Sequence, residues 1–365
     1  MTITAHLITN RETWHNILQS LPYAHILQTW EWGELKRETT GWTAERFHYM
    51  DSSGNSVAAV SLLTRKVGFL RVMYAPKGAV LDYTNDAIRD QVLAHLEGIA
   101  RQRYAIWLKL DPDVPLQTGF SEDDSGKHPV IPNPTGMALK QAFESRGWHY
   151  SDDQVQFPNT VINDLSLSVD DLLKGMNQST RRKLRQADKN GVQVRHADLA
   201  GADLEILYDL YANTSQRQGF LIRPLSYYKL VWQRFAAAGM AHALIAEVNG
   251  DAAAGAVYLH TGQKVWFFYG MTTTEHRNTQ ANYALHWQAI QWAKEQGYPL
   301  YDWWGAPTQF EETDPLWGVF RFKNGFGGQV VQHIGAWDYI PYPWLYRVYE
   351  GLLPRILNSL RRLRQ

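Results

Sequence analysis

Cysteine is absent from this 365-residue sequence. Disulfides, thiolate nucleophiles and cysteine-ligated metal centres are thereby excluded, while the compartment stays open. Long apolar runs are missing as well. No stretch approaches the roughly 20 residues that a membrane helix needs. The opening MTITAHLITNRETWHNIL has no basic segment leading into an unbroken apolar one, so a cytoplasmic chain without a signal peptide is expected. Net charge is lacking too, with 36 Lys and Arg against 36 Asp and Glu. Any anion binding must therefore come from local patches rather than from an overall field. The 13 histidines show neither metal-ligand spacing nor a nucleophile–base arrangement, so no metal is expected.

What is abundant is aromatic surface, 15 Trp and 19 Tyr, which suits grooves lined with flat amphipathic rings as well as core. An apolar fraction of 45% and a charged fraction of 20% are those of a globular protein. The length fits two domains.

The first half reads as mixed α/β (α+β). AERFHYM and SVAAVSLLTRK are strand-like runs around the turn signal SSGN. VMYAPKGAVLDY follows, then a helix with Ile88, Val92, Leu96 and Ile99 on one face, then the apolar strand of YAIWLKLDPDVP. The second half runs the same programme. HALIAEV and AAGAVYLH flank NGD, KVWFFYGM forms a strand, a helix presents Tyr283, Trp287 and Ile290, and YPLYDWWGAP closes the unit. Val72 to Trp266 and Tyr104 to Tyr298 are both 194 positions apart and Val92 to Trp287 is 195, an offset that points to tandem copies of one fold. The segment 112–136, rich in Pro, Gly and acids, reads as an exposed loop of the first domain. Ser168 and Asp171 form a capping box. The helix after them is expected to bury Leu173, Met176, Thr180 and Leu184, with Arg181, Arg182, Arg185 and Lys189 on its other side. Domain one is then 1–155 plus 326–365, and domain two is 156–325.

Eight phrases occur in order: QTWEWGELKRETTGW, YAPKGAVLDY, LKLDPD, STRRKLRQADKNGV, RQGFLIRPLSYY, FFYGMTTTEHRNTQANYALHWQAIQWAKEQG, YDWWGAP and FRFKNGFGG. Through them the chain resembles the Fem family of peptidoglycan interpeptide-bridge aminoacyltransferases over nearly its whole length. The resemblance implies two tandem acetyltransferase-like (GNAT) domains. It also implies transfer of an amino acid from aminoacyl-tRNA to a stem-peptide amine of a peptidoglycan precursor, nucleotide-linked or lipid-linked. Glycine, alanine and serine all remain open as the residue moved. No cofactor is implied, and the protein would act as a monomer. Only GVQVRHADLAGADLE stands where some members insert a coiled coil, so this chain looks like the shorter form. The competing functions are an acetyl-CoA-dependent N-acyltransferase and a non-catalytic protein that binds a cell-wall precursor.

The resemblance gives Lys36 to a diphosphate of the precursor, although a solvated lysine beside Arg37 is the plain local reading. Arg223 and Tyr227 match the family's phosphate-binding Arg and neighbouring Tyr. Pro224 suits a helix start and sets Tyr227 one turn beyond Arg223, and arginine's planar donors suit phosphate oxygens. Lys323, beside Phe322, matches a functional lysine that can neutralise phosphate or a developing oxyanion. Tyr269 ends a strand that splays around the acyl donor in acetyltransferase folds, where it lines the tunnel or packs in the core. EHRNTQANYALHW occupies the place of the acetyltransferase pyrophosphate loop. Without a glycine it argues against acetyl-CoA, with Asn282 still able to donate to the donor end. Asp111 is the candidate base for the attacking amine, or simply a turn residue before Pro112. The helix bearing Arg181, Arg182, Arg185 and Lys189 is a tRNA contact or a solvated basic face. The C-terminal LLPRILNSLRRLRQ is a basic amphipathic helix suited to an anionic membrane or to packing on domain one.

Overall fold

The computed structural model describes residues 2–68, 70–120 and 129–349. The basic C-terminal segment expected to form a helix, and residues 121–128 of the Pro/Gly-rich loop, lie outside the described residues. In chain order the first elements are β1 (Thr4–Leu7), α1 (Arg11–Ser20), α2 (Trp30–Thr40), β2 (Thr43–Met50), β3 (Ser56–Val67), β4 (Leu70–Ala75) and β5 (Val80–Leu81). Then come α3 (Asp86–Gln102), β6 (Ala105–Leu110), β7 (Pro115–Thr118), β8 (Ile131–Pro132), α4 (Pro134–Ser145) and β9 (His149–Tyr150). The second half follows with β10 (Asn159–Asp164), α5 (Val169–Gly175), α6 (Gln178–Lys189), β11 (Gln193–His196), α7 (Asp203–Gln218) and α8 (Leu225–Ala237). It continues through β12 (Ala241–Val248), β13 (Asp251–Thr261), β14 (Lys264–Thr272), α9 (Ala281–Glu295), β15 (Leu300–Asp302), α10 (Trp317–Asn324), β16 (Gln329–His333) and β17 (Trp337–Tyr339).

The chain divides into two compact units. The first holds 1–116, 133–156 and 333–365, and the second 117–132 and 157–332. The sheet of unit one runs β1-β2-β3-β4-β6-β17-β9, with β5 on β3. The sheet of unit two runs β11-β12-β13-β14-β15-β10-β16-β7-β8. The loop expected in domain one therefore contributes instead to unit two: Thr118 pairs with Ile131, and the Gly119 N–H donates to the Val330 carbonyl at 2.9 Å. Backbone donors and acceptors in this Pro-rich stretch are satisfied by a sheet edge rather than by water.

The tandem offset is present in the elements. The order helix, antiparallel hairpin, third strand, helix, parallel strand recurs as α2-β2-β3-β4-α3-β6 and α8-β12-β13-β14-α9-β15. In unit one Ile88, Val92, Leu96 and Ile99 are buried on α3 as their spacing dictates, against Val60, Leu62 and Met73 of the sheet. On α9 Ile290 is buried as expected, but the rest of the core face is Ala281, Leu285, His286, Ala289 and Ala293, with Tyr283 and Trp287 half-buried at its flanks. Alanines let the helix approach the sheet, and the large rings cover the edges.

The helix expected after Ser168 is in fact two. Asp171 N–H donates to Ser168 Oγ at 3.1 Å, the N-cap half of the capping box, while Asp171 Oδ2 accepts from the Ser168 hydroxyl at 2.6 Å. Met176 then turns extended, and Asn177 caps a second helix by accepting from the Thr180 N–H at 2.7 Å. An Asn before a basic run starts a helix as readily as it interrupts one. Arg181 does not share the solvent face of Arg182 and Arg185. Its Nη1 donates to the carbonyls of Lys174 at 2.8 Å and Met176 at 2.7 Å, closing the end of α5.

Candidate active site

The two parallel pairs differ. In unit one β4 and β6 stay paired from Arg71 opposite Ala105 to Ala75 opposite Leu110. In unit two β14 and β15 pair only from Lys264 opposite Leu300 to Trp266 opposite Asp302, while β14 runs on to Thr272. The strands part at this point. On its other side β14 carries a bulge: Val257 faces Tyr269 and Tyr258 faces Phe267, which leaves Phe268 unmatched. A bulge breaks the two-residue alternation. Phe267 consequently packs on His286 of α9 at 4.3 Å between ring centroids, whereas Tyr269 packs among Tyr211, Tyr228 and Trp232 of α7 and α8. Phe268 turns to Trp304, 4.6 Å away, just beyond β15.

Lys323 stands on α10 beside this parting. It is buried, and Nζ donates to the carbonyls of Trp304 at 2.8 Å and Gly305 at 2.7 Å. Burial lowers its pKa to about 7, against the opposing pull of Asp302. Phe322 is half-buried against Tyr283, with ring centroids 4.9 Å apart. Asn282 lies half-buried in the first turn of α9, whose preceding residue, Gln280, adopts a left-handed φ of 63° and provides no side-chain cap. Backbone N–H groups at this helix start are thus left without the usual side-chain oxygen.

Arg223 is exposed before α8, with Cζ 4.8 Å from the ring centroid of Tyr227. The Arg223 N–H donates to Tyr228 Oη at 3.3 Å, and Tyr228 packs on Tyr269. Arg223, Tyr227 and Tyr269 therefore form one aromatic run ending on β14. Enclosure raises the Tyr269 phenol well above its ordinary pKa, so it stays protonated.

The remaining two residues belong to unit one. Thr29 Oγ1 caps α2, and Gly41 ends it with φ 68°. Gly33 lets the helix sit over Arg46, since a Cβ there would lie 2.7 Å from the guanidinium. Arg46 in turn stacks on Trp30 at 3.6 Å and pairs with Glu34 at 3.0 Å. From this anchored helix Lys36 extends half-buried, with Nζ 4.4 Å over the Trp32 ring. Lys36 lies on α2 and Arg223 just before α8, and these helices hold the same place in the two copies. Asp111 follows β6 and is buried. It accepts from Tyr74 Oη at 2.6 Å and the Lys77 N–H at 2.5 Å. Burial pushes its carboxyl up to about 6, with Lys77 opposing. Sequence reasoning missed Asp302, Thr160 and the turn at Trp304, whose link to Lys323 has no spacing signature.

Two units of this strand and helix order, one with parting parallel strands, define a tandem acetyltransferase-fold protein. A solved tandem GNAT protein from the clavulanic acid biosynthesis pathway agrees, with TM-score 0.53 and 14% identity over 94% of this chain and 99% of that one. The model of the FemAB family matches residues 9–253 and 250–353, and the chain belongs to that family. A lipid II:glycine glycyltransferase of Staphylococcus aureus is 25% identical over 421 aligned positions, covering 96% of each chain. That span exceeds the length of this chain, so the relative carries residues that this one lacks. A crystal structure of FemX superposes with TM-score 0.82 at 22% identity, over 96% of this chain and 100% of that one. Between β11 and α7, where a coiled-coil insert was considered, there is only a short turn. No helix among the described residues is long and apolar enough to cross a membrane.

Proposed function

We propose that this protein is an aminoacyltransferase that moves an amino acid, glycine as in the Staphylococcus relative, from aminoacyl-tRNA to an amine in the peptide of a peptidoglycan precursor. The observation that carries the reading is Lys323, buried and clamped beside the parting of β14 and β15, in a chain aligned along 96% of its length with a lipid II:glycine glycyltransferase. Unit two, 117–132 and 157–332, receives the aminoacyl end, and unit one, 1–116, 133–156 and 333–365, contributes to precursor binding.

Aminolysis of an ester needs no redox step. The precursor amine attacks the aminoacyl carbonyl carbon and a C–N bond forms. The carbonyl oxygen becomes an oxyanion, and collapse breaks the C–O bond to the tRNA ribose. The ribose oxygen leaves with a proton, and the amine nitrogen gives up a proton to solvent or a substrate phosphate. Lys323 supplies a fixed cation for the oxyanion in a site from which water is largely excluded, where such a charge acts most strongly. Tyr269 and Phe322 hold the ester beside it, and Asn282 with the open N–H groups of α9 meets the donor end. Lys36 of unit one, and separately Arg223 with Tyr227 of unit two, are each assigned to precursor phosphate, and a held phosphate places the amine for attack. The engaged oxygens of Asp111 suit a structural carboxylate better than a proton acceptor. In the test, purified protein is mixed with glycyl-tRNA and precursor, and the product is weighed by mass spectrometry, with acetyl-CoA as a separate donor arm. Glycyl addition supports the reading; acetyl addition, or precursor binding without transfer, overturns it.

A further inference from the structure

Lys323 is held by an unusual turn. After β15, Trp304 and Gly305 both take left-handed backbone, with φ of 48° and 88°. Such a conformation is costly for a bulky side chain. The turn nevertheless persists, and its two carbonyls converge on Nζ of Lys323 at 2.8 and 2.7 Å. At the head of the turn sits Asp302, which is buried. Its Oδ1 accepts from the Trp304 N–H at 2.9 Å and from Thr160 Oγ1 at 2.6 Å. Thr160 lies on β10, the strand that pairs with β15 on the side away from β14. Asn163 of the same strand takes the indole N–H of Trp303 at 2.7 Å. The turn is thus fastened to β10 at two points, and Phe157 closes over Gly305, where a Cβ would come within 2.7 Å of its ring.

We propose that Asp302, fixed by Thr160, is a positioning residue for acyl transfer: it shapes the turn whose carbonyls grip Lys323 and sets a carboxylate close to that ammonium. This rests on the reading of Lys323 given above. An ammonium has three N–H bonds. Two are committed to the turn carbonyls, so the direction of the third is fixed by the turn and not by the flexible lysine stem. Two titratable groups face Lys323. Asp302 favours its charged form. His286, across on α9, is held neutral by burial, at about 3, with Lys323 itself pushing the same way. Phe267 of β14 faces it with an uncharged ring, Nζ lying 5.8 Å from the centroid. Asp302 is therefore the charged group that favours the ammonium form of this buried lysine against the effect of burial.

The test uses Asp302→Asn, which keeps an acceptor for the turn but removes the charge, and Thr160→Val, which keeps shape but frees the carboxylate. Both are assayed for glycyl transfer across pH beside wild type and Lys323→Met. For Asp302→Asn the alkaline limb of the kcat profile should move down by about one pH unit, the scale of a neighbouring charge. KM for both substrates should stay unchanged, and lower pH should restore much of the rate. Thr160→Val should lose kcat several-fold at every pH with the limb in place. An unmoved limb in Asp302→Asn, or a loss that lower pH does not relieve, overturns the inference. Should Asp302→Asn fail to fold, wild-type kcat in Thr160→Val overturns it alone. Full activity in Lys323→Met would instead overturn the underlying reading of the lysine, so the two failures are separable.

Discussion

Nζ of Lys323 donates to the carbonyl oxygen of Trp304 at 2.8 Å, joining α10 to the turn beyond β15. A cation is thereby fixed where β14 and β15 separate. The same place in unit one is closed by continuous pairing of β4 and β6. The two copies differ in how far their parallel strands stay paired.

Lys323→Met should lower kcat by at least about 100-fold, the usual effect of removing one oxyanion-stabilising group, while circular dichroism stays native. Stability should also respond to pH. The fold depresses the lysine from 10.5 to about 7, so the unfolded chain binds more protons between those values. Wild-type stability should accordingly rise from pH 7 towards 10.5 relative to Lys323→Met. Denaturant titrations at pH 7 and 9.5 check the sign, and a wild-type stability that falls relative to Lys323→Met on raising pH would contradict it.

Arg223→Ala should raise KM for the precursor about 10- to 100-fold, as the loss of a charge-assisted contact to phosphate implies, and leave kcat largely intact. Arg223 is proposed to hold the substrate rather than to act on the ester. Steady-state kinetics with unchanged KM would remove it from that role.

Asp111→Asn should keep kcat far above the roughly 100-fold loss expected for a missing general base. Its buried carboxyl, raised from 3.8 to about 6, disfavours the ionised form, so its ionisation costs stability as pH climbs through that window. The asparagine variant should lose this slope. A collapse of kcat without loss of fold would restore Asp111 as the base.

Gln28→Ala should destabilise the protein by at least about 2 kcal/mol, because two buried backbone groups would lose their partners. Gln28 is fully buried; its Oε1 accepts from the Ser61 N–H at 2.7 Å and its Nε2 donates to the Pro76 carbonyl at 2.7 Å. Thermal unfolding measures the effect, and a midpoint near wild type would show that the network relaxes.

Much of this was legible in the sequence because it is written in local periodicity. The burial of Val92 and Leu96 on α3, the hairpins around SSGN and NGD, and the tandem offset follow from alternation, helical spacing and turn chemistry. The break between α5 and α6 was not, since Asn177 reads equally as an interior residue. Nor was the bulge at Phe268, which depends on the register of a neighbouring strand. The site was legible only as residue types. Lys323 could be singled out, but its clamp lies 18 and 19 positions upstream on a turn whose left-handed Trp304 no propensity announces. Phe322 and Lys323 sit on α10, whose end passes into the glycine-rich turn of FRFKNGFGG.

The most direct measurement is the mass of precursor after incubation with glycyl-tRNA, for wild type and Lys323→Met side by side. The account predicts precursor carrying an added glycyl residue with wild type, and unmodified precursor with a Lys323→Met protein that still binds it. Equal glycyl addition by both proteins would contradict the assignment of the buried lysine.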